Sequence, residues 1–114
     1  MSIQPAIPEG VERVLVVTAH PDDVDFGAAG TIHTLTKSGV EVTYCICTDG
    51  DAGGFDDAID RGAIAGIRRQ EQTLAAREVG VSDVRFLGYQ DGYLDHNHDL
   101  QRDIVRVMRQ IRPQ

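Results

Sequence analysis

The chain has 114 residues, enough for one domain around one hydrophobic core and too few for two. A hydrophobic share of 41% and a charged share of 25% are those of an ordinary folded protein, which excludes disordered and fibrous classes. Eighteen acidic residues against eleven Lys and Arg give a formal charge of −7, which repels phosphate backbones and excludes nucleic acid as the expected partner.

Residues 1–12 read as an N-terminal extension. With two prolines, no cationic start and no apolar stretch, it is not a signal peptide, so a cytoplasmic protein is expected. A first strand is predicted over 13–19. Its largely apolar run 14–19 is far short of the roughly 20 residues of a membrane span. A helix follows over 26–38, with Ala28, Ile32 and Leu35 on one side, His33 turned to solvent and Gly39 as the glycine expected after a helix end. The second strand, 41–48, carries Cys45 and Cys47 on one face, a spacing that suits buried thiols better than a disulfide or zinc knuckle. After it lies a Gly-containing acidic loop with Asp51, Asp56, Asp57 and Asp60, read as a solvated charge run.

The second helix, 63–79, ends at Gly80, and its apolar stripe is Ile64, Ile67, Leu74, Ala75 and Val79. Arg68 and Glu71 project into that stripe at i, i+3 spacing, either as a structural ion pair or as polar groups lining a pocket; spacing alone leaves both open. A short third strand, 84–87, precedes a helix over 99–112 whose stripe is Leu100, Ile104, Val107, Met108 and Ile111. Repeated β-α order predicts an α/β fold: a Rossmann-like, three-layer α/β/α arrangement on a parallel sheet with right-handed crossovers, here β-α-β-α-β-α of a larger domain.

In such sheets ligands bind beyond the carboxyl ends of the strands, where the first strand runs into His20-Pro21-Asp22-Asp23. Pro21 restricts the turn, His20 offers an imidazole nitrogen, and two adjacent carboxylates cannot point the same way. A catalytic zinc site keeps three protein ligands and one open position. His20 and Asp23 would supply two of the three ligands, leaving Asp22 beside the activated water as general base. The competing reading is that Asp22, Asp23 and Asp25 simply cap the next helix, which accounts for Asp25 and leaves His-Pro unexplained.

Ala19-His20-Pro21-Asp22-Asp23, followed by Asp25-Phe26-Gly27-Ala28-Ala29-Gly30-Thr31-Ile32, resembles the opening signature of the LmbE-like, or PIG-L, family of zinc-dependent N-deacetylases. Thr48-Asp49-Gly50-Asp51-Ala52-Gly53-Gly54, Arg68-x-x-Glu71 and Phe86-Leu87-Gly88-Tyr89-x-Asp91-Gly92 resemble the family's later loops in order. The resemblance implies removal of acetyl or similar acyl groups from amino-sugar conjugates, with His20 and Asp23 on zinc, or iron, which accepts the same donors. It makes Asp22 the general base, tips Arg68 and Glu71 towards a pocket role, and sets Asp49 and Asp91 beside the substrate.

The family's second His-bearing element, whose last His completes the metal site, has no match before Gln114, so the chain is expected to be the N-terminal portion of such an enzyme. A C-terminal fragment or second chain would complete the site, and a homo-oligomer is compatible; His96 and His98 are the local candidates for the missing ligand. Without a fourth strand the first strand would keep an open edge. Two other classes compete: a non-catalytic binding or partner module of the same fold, and a phosphorelay receiver-like domain. The receiver's acceptor aspartate should end the third strand, and Asp91 falls three residues too late.

Overall fold

The computed structural model describes residues 7–50, 61–90, 92, 94–95 and 97–114. Three strands, β1 (Arg13–Thr18), β2 (Glu41–Thr48) and β3 (Asp83–Tyr89), form a parallel sheet in the order β1-β2-β3. Arg13 lies opposite Glu41 and Thr18 opposite Ile46; β3 joins with Thr43 opposite Asp83, and a register shift after Ile46 sets Thr48 against Tyr89. Four helices complete the described chain: α1 (Asp23–Gly27), α2 (Ala29–Lys37), α3 (Arg61–Glu78) and α4 (His98–Ile111). This is the Rossmann-like α/β fold expected from the β-α order.

The middle strand β2 is buried from 42 to 48 because both its faces are covered. On one face Val42, Tyr44 and Ile46 join Val24, Ile32, Val40, Ala76 and Val81 in the core. Thr36 Oγ1 donates to the Val79 carbonyl at 2.6 Å, tying the end of α2 to the end of α3. On the other face lie Cys45 and Cys47, both buried free thiols as expected, and α4 closes that side. It does so through Tyr89 Oη, which donates to Asp103 Oδ2 at 2.6 Å, and Arg85, which donates to Gln110 at 2.6 Å.

The first helix differs from expectation: the predicted 26–38 segment is two helices broken at Ala28, whose φ is −139°. On an unbroken helix Val24 and Ile32, eight residues apart, would lie about 80° apart; the break lets both reach the core, at 2% and 3% exposure. In α3 the buried row is rotated from the predicted stripe. Ile67 and Leu74 are exposed, whereas Gln72 and Ala76 are fully buried. Met108, expected in the α4 core stripe, is 47% exposed, and Val107 carries that contact at 5%.

β1 pairs only with β2 among the described residues, as an open first-strand edge predicts. The C-terminal residues come back to its start. Gln114 N donates to the Arg13 carbonyl at 3.0 Å, and its side-chain oxygen accepts from the Glu12 and Arg13 amides at 3.0 and 2.8 Å. Among the described residues no helix is long and apolar enough to cross a membrane.

Candidate active site

The loop 19–22 leaves the carboxyl end of β1, and neighbouring elements hold its backbone. Fully buried Thr48, at the end of β2, donates its hydroxyl to the Ala19 carbonyl at 2.8 Å and its amide to the same oxygen at 2.9 Å. A threonine suits this place because it continues the strand while offering a second donor. Pro21 is buried.

Within the loop the two adjacent aspartates have separate partners. Asp23 Oδ2 accepts from the His20 amide at 2.9 Å and lies 3.5 Å from His20 Nδ1. Both side chains are about half exposed, at 45% each. Asp22 sits in the left-handed region, φ 75°, and makes no side-chain capping bond to α1. For a residue with a Cβ this conformation costs about 1 kcal/mol, so surrounding contacts must hold it. Two do so from α3: Arg68 Nη2 lies 3.4 Å from Asp22 Oδ2 and donates to the Pro21 carbonyl at 3.3 Å, and Gln72 Oε1 accepts from the Asp22 amide at 2.6 Å. Asp22 therefore makes no side-chain cap on α1, while Asp23 and Asp25 stand in its first turn, where carboxylates are favoured.

Behind the loop lies a polar cluster that sequence reasoning missed. Burial pushes the Asp25 carboxyl above the usual carboxylate range; the nearby Gln72 side chain pulls it down, and the Asp22 charge raises it further. Tyr44 Oη is buried without a hydrogen-bond partner among the described residues, and burial together with the Asp25 charge pushes its pKa up to about 12. Among the described residues Gln72 Nε2 and Arg68 Nε are likewise buried with no partner at hydrogen-bonding geometry. The signal that could have revealed Gln72 is its i+4 spacing from Arg68, which puts both on one helix face.

Arg68 thus lines the loop, with its side chain 25% exposed. Glu71, the i+3 partner in the ion-pair reading, is exposed, and Arg68 pairs with Asp22. Asp49, just past β2, has both carboxylate oxygens engaged by Arg69, at 2.7 and 3.0 Å, and the Arg69 guanidinium stacks 5.0 Å over Phe86. Arg69 is a second residue the pattern did not single out. Asp91, His96 and the acidic-loop residues Asp51, Asp56, Asp57 and Asp60 lie outside the described residues.

An imidazole nitrogen beside a carboxylate oxygen is the donor chemistry of a borderline divalent cation, and His20 and Asp23 provide that pair on one short loop. Among the described residues no group of three His, Cys, Asp or Glu side chains could hold a metal. His98, exposed as the first residue of α4, does not complete such a set. The described residues fit two ligands of a metal site.

Comparison with known proteins gives a consistent picture. The sequence model of the family described as PIG-L, GlcNAc-PI de-N-acetylase, matches residues 15–114. The chain is 36% identical over 103 residues to the diacetylchitobiose deacetylase of Thermococcus kodakarensis, covering 90% of this chain and 39% of that protein. It is 38% identical over 106 residues to the probable N-acetyl-alpha-D-glucosaminyl L-malate deacetylase 2 of Bacillus cereus, covering 89% of this chain and 48% of the relative. Among solved structures, the N,N'-diacetylchitobiose deacetylase from Pyrococcus horikoshii superposes with a TM-score of 0.89 at 35% identity, covering 92% of this chain and 39% of that one. The chain spans between 39% and 48% of the length of these relatives.

Proposed function

This chain belongs to the PIG-L family, and we propose that it carries part of the active site of a metal-dependent N-deacetylase that hydrolyses the carbon–nitrogen amide bond of an N-acetylglucosaminyl-type conjugate. The observation that carries the reading is the division of labour in the loop: Asp23 sits against His20, while Asp22 is turned aside onto α3. The names of the relatives, which act on diacetylchitobiose and N-acetylglucosaminyl malate, support an amino-sugar substrate.

In this proposal His20 and Asp23 hold zinc, or ferrous iron, which supplies Lewis acidity at the acyl carbonyl when bound. Asp22 takes the proton of the attacking water as the new carbon–oxygen bond forms. The carbon–nitrogen bond then breaks, the amine leaves with a proton from a protonated group, and acetate and the free amino sugar result. Arg68 fixes the Asp22 carboxylate and the Pro21 carbonyl. Glu71, Asp49 and Asp91 border the substrate in this reading, with Arg68, on the strength of their places in the family's motifs, and Arg69 holds the Asp49 carboxylate.

The reading also takes residues 13–114 as the N-terminal portion of a larger, cytoplasmic catalytic domain, completed by further chain or by a second one. The share of the relatives' length spanned supports this.

The test is zinc content and deacetylation of N,N'-diacetylchitobiose. His20→Ala and Asp23→Ala are expected to lose stoichiometric zinc, and Asp22→Asn to keep it while kcat falls by roughly 10²–10⁴-fold. Zinc retained in both ligand variants, or turnover unchanged in Asp22→Asn, would overturn the assignment.

A further inference from the structure

The geometry points to Gln72 as a positioning residue for Asp22, acting through the Asp22 backbone amide; the inference rests on the proposed role of Asp22 as general base. Gln72 is fully buried, fifty positions away in sequence, and its Oε1 accepts from Asp22 N at 2.6 Å. Amide oxygen and nitrogen are often interchangeable in a structure, but a backbone N–H needs an acceptor, so this contact itself fixes Gln72 with its oxygen towards Asp22.

The cost at this position is what makes the contact informative. Among the described residues Gln72 Nε2, buried, has no partner at hydrogen-bonding geometry, its side chain reaching only far enough towards Asp25 to lower that carboxyl, and a buried amide held firmly on one side only is unfavourable. A leucine or methionine would pack in the same place on α3 without that penalty, so packing alone does not explain a glutamine. What a glutamine adds is an acceptor under the one non-glycine residue of the loop with a left-handed backbone, φ 75°. Arg68, one helical turn earlier on the same face, takes the Asp22 carboxylate and the Pro21 carbonyl. Two successive turns of α3 therefore hold Asp22 at both ends, Gln72 by its amide and Arg68 by its side chain. This keeps its carboxylate apart from that of Asp23, which faces His20. Small displacements of a catalytic group are costly in rate, so the amide contact should be read in kcat.

The experiment compares Gln72→Met, which keeps the shape and loses the acceptor, with Gln72→Glu, which restores an oxygen at the same place, in the zinc-loaded protein with N,N'-diacetylchitobiose. Gln72→Met is expected to lower kcat by about 10- to 100-fold with KM and zinc content unchanged. Gln72→Glu is expected to recover part of kcat, because it again offers an oxygen to the Asp22 amide. In amide NMR the Asp22 proton should shift upfield and exchange faster in Gln72→Met, and return towards its original position in Gln72→Glu. A Gln72→Met protein with unaltered kcat, or an unaltered Asp22 amide, overturns the inference. Asp22→Asn separates the two levels: if it abolishes turnover while Gln72→Met does not, only the positioning role fails. If Asp22→Asn remains active, the functional reading falls and this inference with it; the Asp22 amide signal tests the contact in this chain independently of turnover.

Discussion

Asp22 and Asp23 have the same side chain and adjoining positions, yet one is bonded to His20 and the other to α3. The difference comes from a backbone angle rather than from the side chains, so residues that leave room for the groups supporting that angle become important. Gly50 is one of them. Its φ is +67°, and a Cβ there would lie 3.1 Å from Arg68 Nη2, 3.1 Å from Pro21 Cδ and 3.2 Å from Arg68 Cζ. Gly50→Ala is expected to destabilise the protein by about 1–2 kcal/mol and to lower deacetylation beyond that effect, since the guanidinium that holds Asp22 must give way. Urea unfolding and kcat on the same samples check this; activity unaffected in Gly50→Ala would show that the Arg68 contact is not needed. Tyr44 offers the opposite case. Its hydroxyl is buried without a partner among the described residues, so Tyr44→Phe removes an unsatisfied group and is expected to be neutral or stabilising by up to about 1 kcal/mol.

At the scale of elements, the helices show what hydrophobic periodicity reads and what it misses. α4 docks close to its predicted phase, with Val107 buried at 5% and Met108 at the flank, 47% exposed. Val107→Ala should therefore cost roughly 1.5–2.5 kcal/mol, and Met108→Gln less than about 0.5 kcal/mol. Equal costs in denaturant titrations would mean that the helix is rotated from the position described. The start of α4 gives a second check. Asn97 Oδ1 accepts from the Leu100 amide at 2.9 Å, and Asn97→Ala is expected to cost about 1 kcal/mol. In α3 the pattern misleads because the face that binds the loop is polar. Arg68 and Gln72 turn inward to meet Pro21 and Asp22, which leaves Ile67 and Leu74 at 40% and 54% exposure.

For the molecule as a whole, burial of its weak acids sets an alkaline limit on stability. Burial first, then Cys47 and Asp103 against the opposing Arg85, pushes the Cys45 thiol up to about 11, and the Tyr44 phenol reaches about 12. Above the ordinary pKa of each group the unfolded chain sheds the proton while the folded chain keeps it. The unfolded state then binds fewer protons, and stability falls as pH rises. The fall is expected to begin near pH 9 with Cys45, to steepen above pH 10 with Tyr44, and to amount to roughly 2 kcal/mol or more by pH 11. Urea titrations from pH 7 to 11 measure it, and Tyr44→Phe should flatten the upper part. A flat profile to pH 11 would show that these groups are not shielded as described.

The sequence by itself determined the order of strands and helices, the parallel sheet, the buried thiols and the loop at the end of β1. These depend on local signals: apolar runs that can be buried on both faces, helical period, glycines at helix ends, and a His-Pro-Asp-Asp element with no other ready explanation. Only the tertiary structure decided that Arg68 turns to Asp22 rather than to Glu71, that Asp49 is held by Arg69, and that a buried glutamine lies under the Asp22 amide. Those contacts join residues 20 to 50 positions apart, and their partners are chosen by where α3 docks against the sheet and by one left-handed backbone angle. Hydrophobic periodicity does not report either, because Arg68 and Gln72, the residues that turn inward, are polar and add nothing to an apolar pattern.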